Sequence, residues 1–279
     1  MKAVDMCYPC LCRLARPAAT LATVDERLRA AAAREGLKVV DENFSTDGLT
    51  LDIATKIHRA VKEITGNPDP YRKMKDDEIK ISREIIDEVA PAYPQDIKGL
   101  MALSALGNSI DFFRRQDDIV KDLRTPLKFS VDDSDRFIQR LKGAKNILFL
   151  GDNAGEVFFD LPLLRCLERY APVTYVVKGA PVQNDATLHD LKVAGLDGQL
   201  NRVITTGIAT PGVVFPLASD EFRRAFQSAD LVLAKGMGYW EGLSELPPEG
   251  KVLYCTMAKC QPVADSLGVP LNSYAMVFR

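Results

Sequence analysis

A chain of 279 residues with 47% hydrophobic content is long enough to bury a large core, as one big domain or two unequal ones. Its formal net charge of −2 gives no general attraction to nucleic acid or anionic lipid, and no apolar run reaches the length of a membrane span. The N-terminus has one lysine and then cysteines, without the apolar core of a signal peptide, so the sequence reads as a soluble, cytoplasmic protein with neither nucleic acid nor membrane as partner.

The six cysteines are unevenly placed. Cys7, Cys10 and Cys12 crowd the start, Cys255 and Cys260 lie near the other end, and Cys166 falls in an apolar-periodic segment that marks it as core packing. In a reducing compartment, Cys7-Tyr8-Pro9-Cys10 points to metal ligation or redox chemistry rather than a structural disulfide, the alternative being ordinary thiols at the start of a helix. Cys7 and Cys10 with Cys260 form the candidate soft-metal set, suited to Zn or Fe.

From Cys10 to about Leu123 the chain reads as helical, with no strand signal. Leu14, Leu21, Val24 and Leu28 recur at helical spacing, and Leu49 to Ile64 is stopped by the breaker Gly66-Asn67-Pro68-Asp69-Pro70. Ile79, Ile81, Ile85, Ile86 and Val89 follow, ended at Pro91, and then Leu100 to Val120. Within this last piece Asn108 and Asp111 stand three apart on one helix face, either as a solvated surface or as substrate contacts closing a cleft from the helical side.

After Val131 strands and helices alternate. The short apolar runs Ile147–Leu150, Val173–Val177, Arg202–Ile204, Leu231–Ala234 and Lys251–Cys255 read as buried strands of a mostly parallel sheet. The first stops at Gly151 and is followed by Asp152, Asn153, Ala154, Gly155 and Glu156, where a new apolar-periodic helix opens. In an open α/β sheet such a corner lies at the carboxyl rim, where ligands bind. A helix cap needs one oxygen only, and the Asp-Asn pair between two glycines supplies two. The corner is neither a Gly-x-Gly-x-x-Gly dinucleotide loop nor a P-loop.

Asp185 follows Asn153 by 32 residues, the length of one strand–helix–strand unit, so both can reach one rim. Two carboxylates and an amide oxygen are hard ligands, suited to Mg²⁺ or Mn²⁺, with Co²⁺ and Ni²⁺ as further candidates. Lys235, at the end of the fourth run, can offset phosphate charge, and the N–H groups around Gly151 can cradle phosphate oxygens. Glu156 is either a general base or a group orienting the ligands, or it serves the helix dipole. The expected chemistry is phosphoryl hydrolysis, since no Ser-His-Asp grouping is legible.

Several short pieces, in this order, resemble the damage-control metal-dependent phosphatases (domain of unknown function 89), in the short microbial branch with an N-terminal Cys-x-x-Cys. They are Cys7-Tyr8-Pro9-Cys10 with Arg13, Asn67-Pro68-Asp69-Pro70-Tyr71, Gly107-Asn108 with Ile110-Asp111-Phe112, Gly151 to Glu156, Asn184-Asp185-Ala186-Thr187, and Lys235-Gly236 with Gly238 and Glu241. The resemblance implies a helical N-terminal domain, residues 1–125, on a three-layer α/β/α domain, residues 126–279. It implies a divalent metal on Asp152, Asn153 and Asp185 and Lys235 on the phosphate, with Glu241 beside the substrate. It also implies small phosphorylated metabolites as substrates, among them sugar phosphates and damaged phospho-metabolites. Thr205 to Ala209 and the bulky Tyr239-Trp240 depart from the family pattern where the substrate's other end would rest.

Two rival classes stand beside this reading. One is an S-adenosylmethionine-dependent carboxyl methyltransferase, which needs no metal. The other is a cysteine-based metal-binding or redox protein. Metal-dependent release of phosphate separates the first reading from both. The oligomeric state is not legible.

Overall fold

The computed structural model describes residues 1–109 and 127–279. The first stretch is helical: α1 (Cys7–Ala22), α2 (Glu26–Asn43), α3 (Thr50–Thr65), α4 (Arg72–Val89), α5 (Ile97–Leu106) and the 3-10 turn Gly107–Ser109. The second alternates β1 (Phe129–Asp132), α6 (Ser134–Leu141), β2 (Ile147–Leu150), α7 (Val157–Leu167), β3 (Val173–Val177), α8 (Leu188–Val193), β4 (Val203–Thr205) and α9 (Asp220–Ser228). It continues with β5 (Leu231–Lys235), α10 (Met237–Leu243), β6 (Val252–Met257), α11 (Gln261–Leu267) and β7 (Tyr274–Phe278).

The helical spacing of Leu14 to Leu28 belongs to two helices. α1 stops at Ala22, and the Asp25 carboxylate caps α2 by accepting from the N–H groups of Arg27 and Leu28. Val24 is thereby left 92% exposed in the turn.

Seven strands form one sheet in the order β1-β7-β6-β5-β2-β3-β4, parallel at every pairing but β6–β7. β1 and β7 are additional to the five strands read from sequence. β1 is four residues of alternating burial, too short to stand out, whereas Tyr-Ala-Met-Val-Phe of β7 carries a strand signal. The fold is the expected α/β class: a three-layer sandwich around a mostly parallel sheet, with additional helices from the N-terminal stretch. Ile147 and Phe149 pack with α4 to α8, and Leu148 and Leu150 pack with α9 to α11. Ile79, Leu100, Leu103 and Leu106 put α4 and α5 into the sheet's own core, while α1, α2 and α3 close over smaller clusters centred on Ala15, Val40 and Ile57 and on Ala18, Ala32 and Val61.

The chain runs outward from β2 through β3 to β4, then crosses back to place β5 on the other side of β2. The crevice above β2 and β5 is therefore the topological switch point, where open α/β sheets bind ligands.

Candidate active site

The corners after β2 and β3 are stitched together by backbone. Ala154 N–H donates to Asn184 C=O at 2.9 Å, Ala186 N–H donates to Asp152 C=O at 2.8 Å, and Asn153 and Asp185 form an isolated antiparallel bridge. Beyond them Thr187 opens α8 with a capping box closed by Asp190. On the other side Asn184 Nδ2 donates to both carboxylate oxygens of Glu78 on α4, at 2.9 and 3.2 Å. Asp152, Asn153 and Asp185 thus meet at the rim, Asp152 half-buried and the other two buried.

A layer of charge lies directly below. Lys235 is 0% exposed and donates to Glu156 Oε2 at 3.0 Å, Asp160 Oδ1 at 2.8 Å and Ser104 C=O at 2.8 Å. Glu156 Oε1 accepts from Asn153 Nδ2 at 2.7 Å and from Asn108 Nδ2 at 2.8 Å. Asp160 also accepts from Ser104 Oγ at 2.6 Å and from the Tyr175 hydroxyl at 3.0 Å. Burial opposes the charge on Lys235, but Asp160 and Glu156 outweigh it and hold the ammonium above its ordinary range. Lys178 is likewise buried: Nζ donates to Gly212 C=O at 3.0 Å, stands 3.3 Å from Asp185 Oδ2 and lies 3.8 Å from the Tyr239 ring centroid.

The rim itself is not balanced. Among the described residues, Asp152, Glu156, Asp160 and Asp185 face two wholly buried ammonium groups, Lys178 and Lys235, and outnumber these two cations by two when all are ionised. Burial pushes the Asp152 carboxyl well above its ordinary range and Glu156 and Asp185 add to this, against the pull of Lys178 and Lys259. Asp185 is raised too, by burial, with Lys178 opposing. Asp185 Oδ2 has ion-pair contact but no well-formed hydrogen bond, and Asn108 Oδ1 is buried without a partner. Orphaned hard oxygens and carboxylates that outnumber these ammonium groups suit a divalent cation of the Mg²⁺ or Mn²⁺ kind. Among the described residues no three His, Cys, Asp or Glu side chains form a metal-binding group, so an all-carboxylate or thiolate cage is not preformed there.

Above the rim opens a cavity of about 690 Å³. Asp152, Asn153, Asn184 and Asp185 form its polar end, and Leu11, Leu14, Pro17, Leu51 and Ala54 of α1 and α3 form an apolar wall. Two expected phosphate contacts do not reach it. Lys235 is committed beneath the floor, because two carboxylates one helical turn apart at the start of α7, Glu156 at its cap and Asp160 within it, need a buried cation between them. Gly151 gives its N–H to Val176 C=O at 3.0 Å and packs so close to the Tyr175 hydroxyl that a Cβ would collide with it. The N–H groups of Ala154 and Glu156 are also bonded, so Gly151, Ala154 and Glu156 are taken out of the expected backbone cradle.

Asn108 lies in the site, but its amide holds Glu156 and stands 3.3 Å from Asp152 Oδ2, which makes it an orienting group. Glu156, with both oxygens accepting, is placed to orient rather than to take a proton. Asp111 lies outside the described residues. Glu241 lines the cavity while its Oε1 accepts from Thr50 Oγ1 at 2.8 Å, linking α10 to α3. Cys7, Cys10 and Cys260 line the same cavity, and burial raises the Cys7 thiol and pushes that of Cys260 up to about 11.

Sequence reasoning missed Lys178, Asp160 and Lys259, and it placed Tyr239 near the substrate's other end rather than against Lys178. Lys178 ends an apolar strand as Lys235 does, and Asp160 follows Glu156 by one turn on an apolar helix; both signals were present. At Gly236 φ is +83°, and a Cβ would run into the Asp152 carboxylate, so only glycine lets β5 leave the sheet beside it.

The damage-control phosphatase ARMT1-like domain matches residues 3–274. A damage-control phosphatase of Archaeoglobus fulgidus is 34% identical over 282 residues, 96% of each chain, and one of Pyrococcus horikoshii is 31% identical over 276 residues, 97% of this chain and 96% of that one. A crystal structure of a protein of the domain-of-unknown-function 89 family from Pyrococcus horikoshii superimposes with a TM-score of 0.90 at 31% identity, covering 100% of this chain and 99% of that one. The chain belongs to the ARMT1-like damage-control phosphatase family.

Proposed function

We propose that this protein is a divalent-metal-dependent phosphatase of small phosphorylated metabolites, damaged phospho-metabolites and sugar phosphates among them. The observation that carries the reading is the rim where Asp152, Asn153 and Asp185 meet and carboxylates outnumber the two buried ammonium groups, opening into a cavity of metabolite size. Two relatives bearing the name damage-control phosphatase support the reaction class.

Asp152, Asn153 and Asp185 would hold the metal, with Mg²⁺, Mn²⁺, Co²⁺ and Ni²⁺ as candidates. When bound, such an ion polarises the phosphoryl group and activates water. Around it the chain's own residues do the rest. Asn108 and Glu156 fix the rotamers of Asn153 and Asp152, and Lys235 holds the Glu156 carboxylate in place. Lys178 holds the Asp185 corner against Gly212. The apolar wall on α1 and α3 shields the reacting end from bulk water.

A second reading, favoured by Cys7, Cys10 and Cys260 lining one cavity, adds a soft ion, Zn or Fe, on these thiols. It requires protons to leave thiols that burial has raised, so uptake should release acid. The free cysteines accord with a reducing, cytoplasmic setting.

The test is phosphate release from a panel of monoesters with each divalent ion and after chelation, in wild type and Asp152→Asn. Release that needs metal and is lost in the variant by about 4 kcal/mol or more is expected. Release indifferent to chelator and to the substitution would overturn the mechanism, and methyl transfer from S-adenosylmethionine without metal would favour the rival class.

A further inference from the structure

We infer that the end of the sheet opposite the rim carries a second ligand site, which takes a small apolar acid with its carboxylate on Tyr254 and Arg279. The inference does not rest on the phosphatase reading, and the two can fail separately.

The site lies where β6 begins. β7 runs antiparallel to β6, so Arg279, just past the end of β7, pairs with Val252 at the amino end of β6. Each N–H donates to the other's C=O, at 2.9 Å from Val252 and 2.8 Å from Arg279. With Phe226 of α9 and with Leu246 and Pro247 between α10 and β6, these two residues line a cavity of about 120 Å³. Phe215, Phe226 and Tyr254 give it aromatic walls, and the Phe215 and Phe226 ring centroids stand 5.2 Å apart, edge to face. An apolar cavity of about 150 Å³ holds a benzene molecule, so this space suits a single ring or a branched chain of similar bulk. It shares no lining residue with the cavity above the rim.

The polar groups select an acid. Tyr254 is 3% exposed, and its hydroxyl has no hydrogen-bond partner among the described residues, whereas buried tyrosine hydroxyls ordinarily find one. The unpaired hydroxyls of Tyr71 and Tyr239 are sealed from solvent; that of Tyr254 keeps open surface, and the residue lines the cavity. Burial holds this hydroxyl protonated against the opposing pull of Arg279, so at neutral pH it is a donor. Arg279 lines the same cavity. Among the described residues its guanidinium makes one hydrogen bond, from Nη1 to Ser244 C=O at 3.1 Å, and lies 5.6 Å from the Trp240 ring centroid. Most of its five N–H donors are left over. Lys251, the other cation in the lining, is spent: its Nζ lies 2.7 Å from Glu249 Oε2 and donates to the Phe226 and Gln227 carbonyls at 3.0 and 3.4 Å. A hydroxyl donor beside a guanidinium, in the lining of an otherwise apolar space, matches a carboxylate on an apolar body.

Benzoate is the probe, titrated calorimetrically into the full chain without metal. Wild type should bind it with a Kd of about 1 mM or tighter. Tyr254→Phe should bind about fivefold more weakly and Arg279→Gln about tenfold or more. Benzylamine, the same ring with the opposite charge, should not bind measurably. Asp152→Asn, changed at the catalytic rim, should bind benzoate as wild type does. No benzoate binding by wild type at about 20 mM would overturn the inference. So would affinity unchanged in Tyr254→Phe or Arg279→Gln, benzylamine binding as tightly as benzoate, or benzoate binding lost in Asp152→Asn. Should Arg279→Gln fail to fold, Tyr254→Phe decides by the same criterion, since it removes one oxygen and fills no space. Phosphate release, with or without metal, bears on the phosphatase reading alone.

Discussion

Two buried charge clusters join the N-terminal helices to the sheet, and they differ in how far the protein balances their charge. At the start of α8, Asp190 accepts from the Thr187 hydroxyl at 2.6 Å and from Arg72, and Lys75 Nζ lies 3.2 Å from it and 2.7 Å from Asp69. Burial pushes this carboxyl up, but Lys75, Thr187 and Arg72 outweigh burial and the net shift is downward. At the rim, burial of Asp152 is reinforced by Glu156 and Asp185, and the net shift is strongly upward. Both clusters are deep in the molecule, so burial alone does not separate them. What separates them is whether the protein supplies the countercharge. Where it does, the cluster holds structure; where it does not, the missing charge is left to a ligand.

The contrast is broken most severely at Lys235. Lys235→Met leaves Glu156 and Asp160 facing each other without a cation, and urea unfolding should show a loss of about 3 to 5 kcal/mol. A fully stable variant with impaired phosphate binding would instead restore Lys235 to the substrate. Lys75→Met removes one of two cations from Asp190, whose Arg72 and Thr187 contacts remain, so about 2 to 3 kcal/mol should be lost, with metal affinity little altered.

A third outcome depends on pH. His58 is 2% exposed and packs edge-on against Tyr71, and burial, with Lys62 adding to it, lowers its pKa from 6.5 to about 3. The unfolded chain binds a proton that the folded chain refuses, so stability falls as pH drops from about 6.5 toward 3. By pH 5 the loss from this one group is about 2 kcal/mol. Replacing it, as in His58→Gln, should flatten that part of the pH–stability curve; an unchanged slope would assign acid lability to the rim carboxylates. The smallest effect expected is opposite in sign: Asp152→Asn relieves repulsion at the rim and should raise metal-free stability by about 1 kcal/mol, even as activity is lost. A destabilised Asp152→Asn would mean that the rim is balanced after all.

Much of this was legible in residue order. The Gly-Asp-Asn-Ala-Gly-Glu corner after four apolar residues announced a strand, a rim and hard oxygen donors, because strand length and turn chemistry are local properties. That the polar corner at Asp185 would meet the first followed from the length of one crossover unit. The tail strand Tyr274–Phe278 carried its own local signal as well.

What the sequence by itself determined, then, was the alternation of strands and helices, the polar corners and the family. Tertiary structure alone decided which lysine serves which carboxylate. Lys178, Lys235 and Lys259 all follow apolar runs and are alike as letters. They part company because strand order and helix packing put Glu156 and Asp160 under one, Asp185 and Tyr239 beside another, and the third in the lining of the cavity. Charge pairing acts over a few ångströms of space, not along the chain, and the assignment needed the fold.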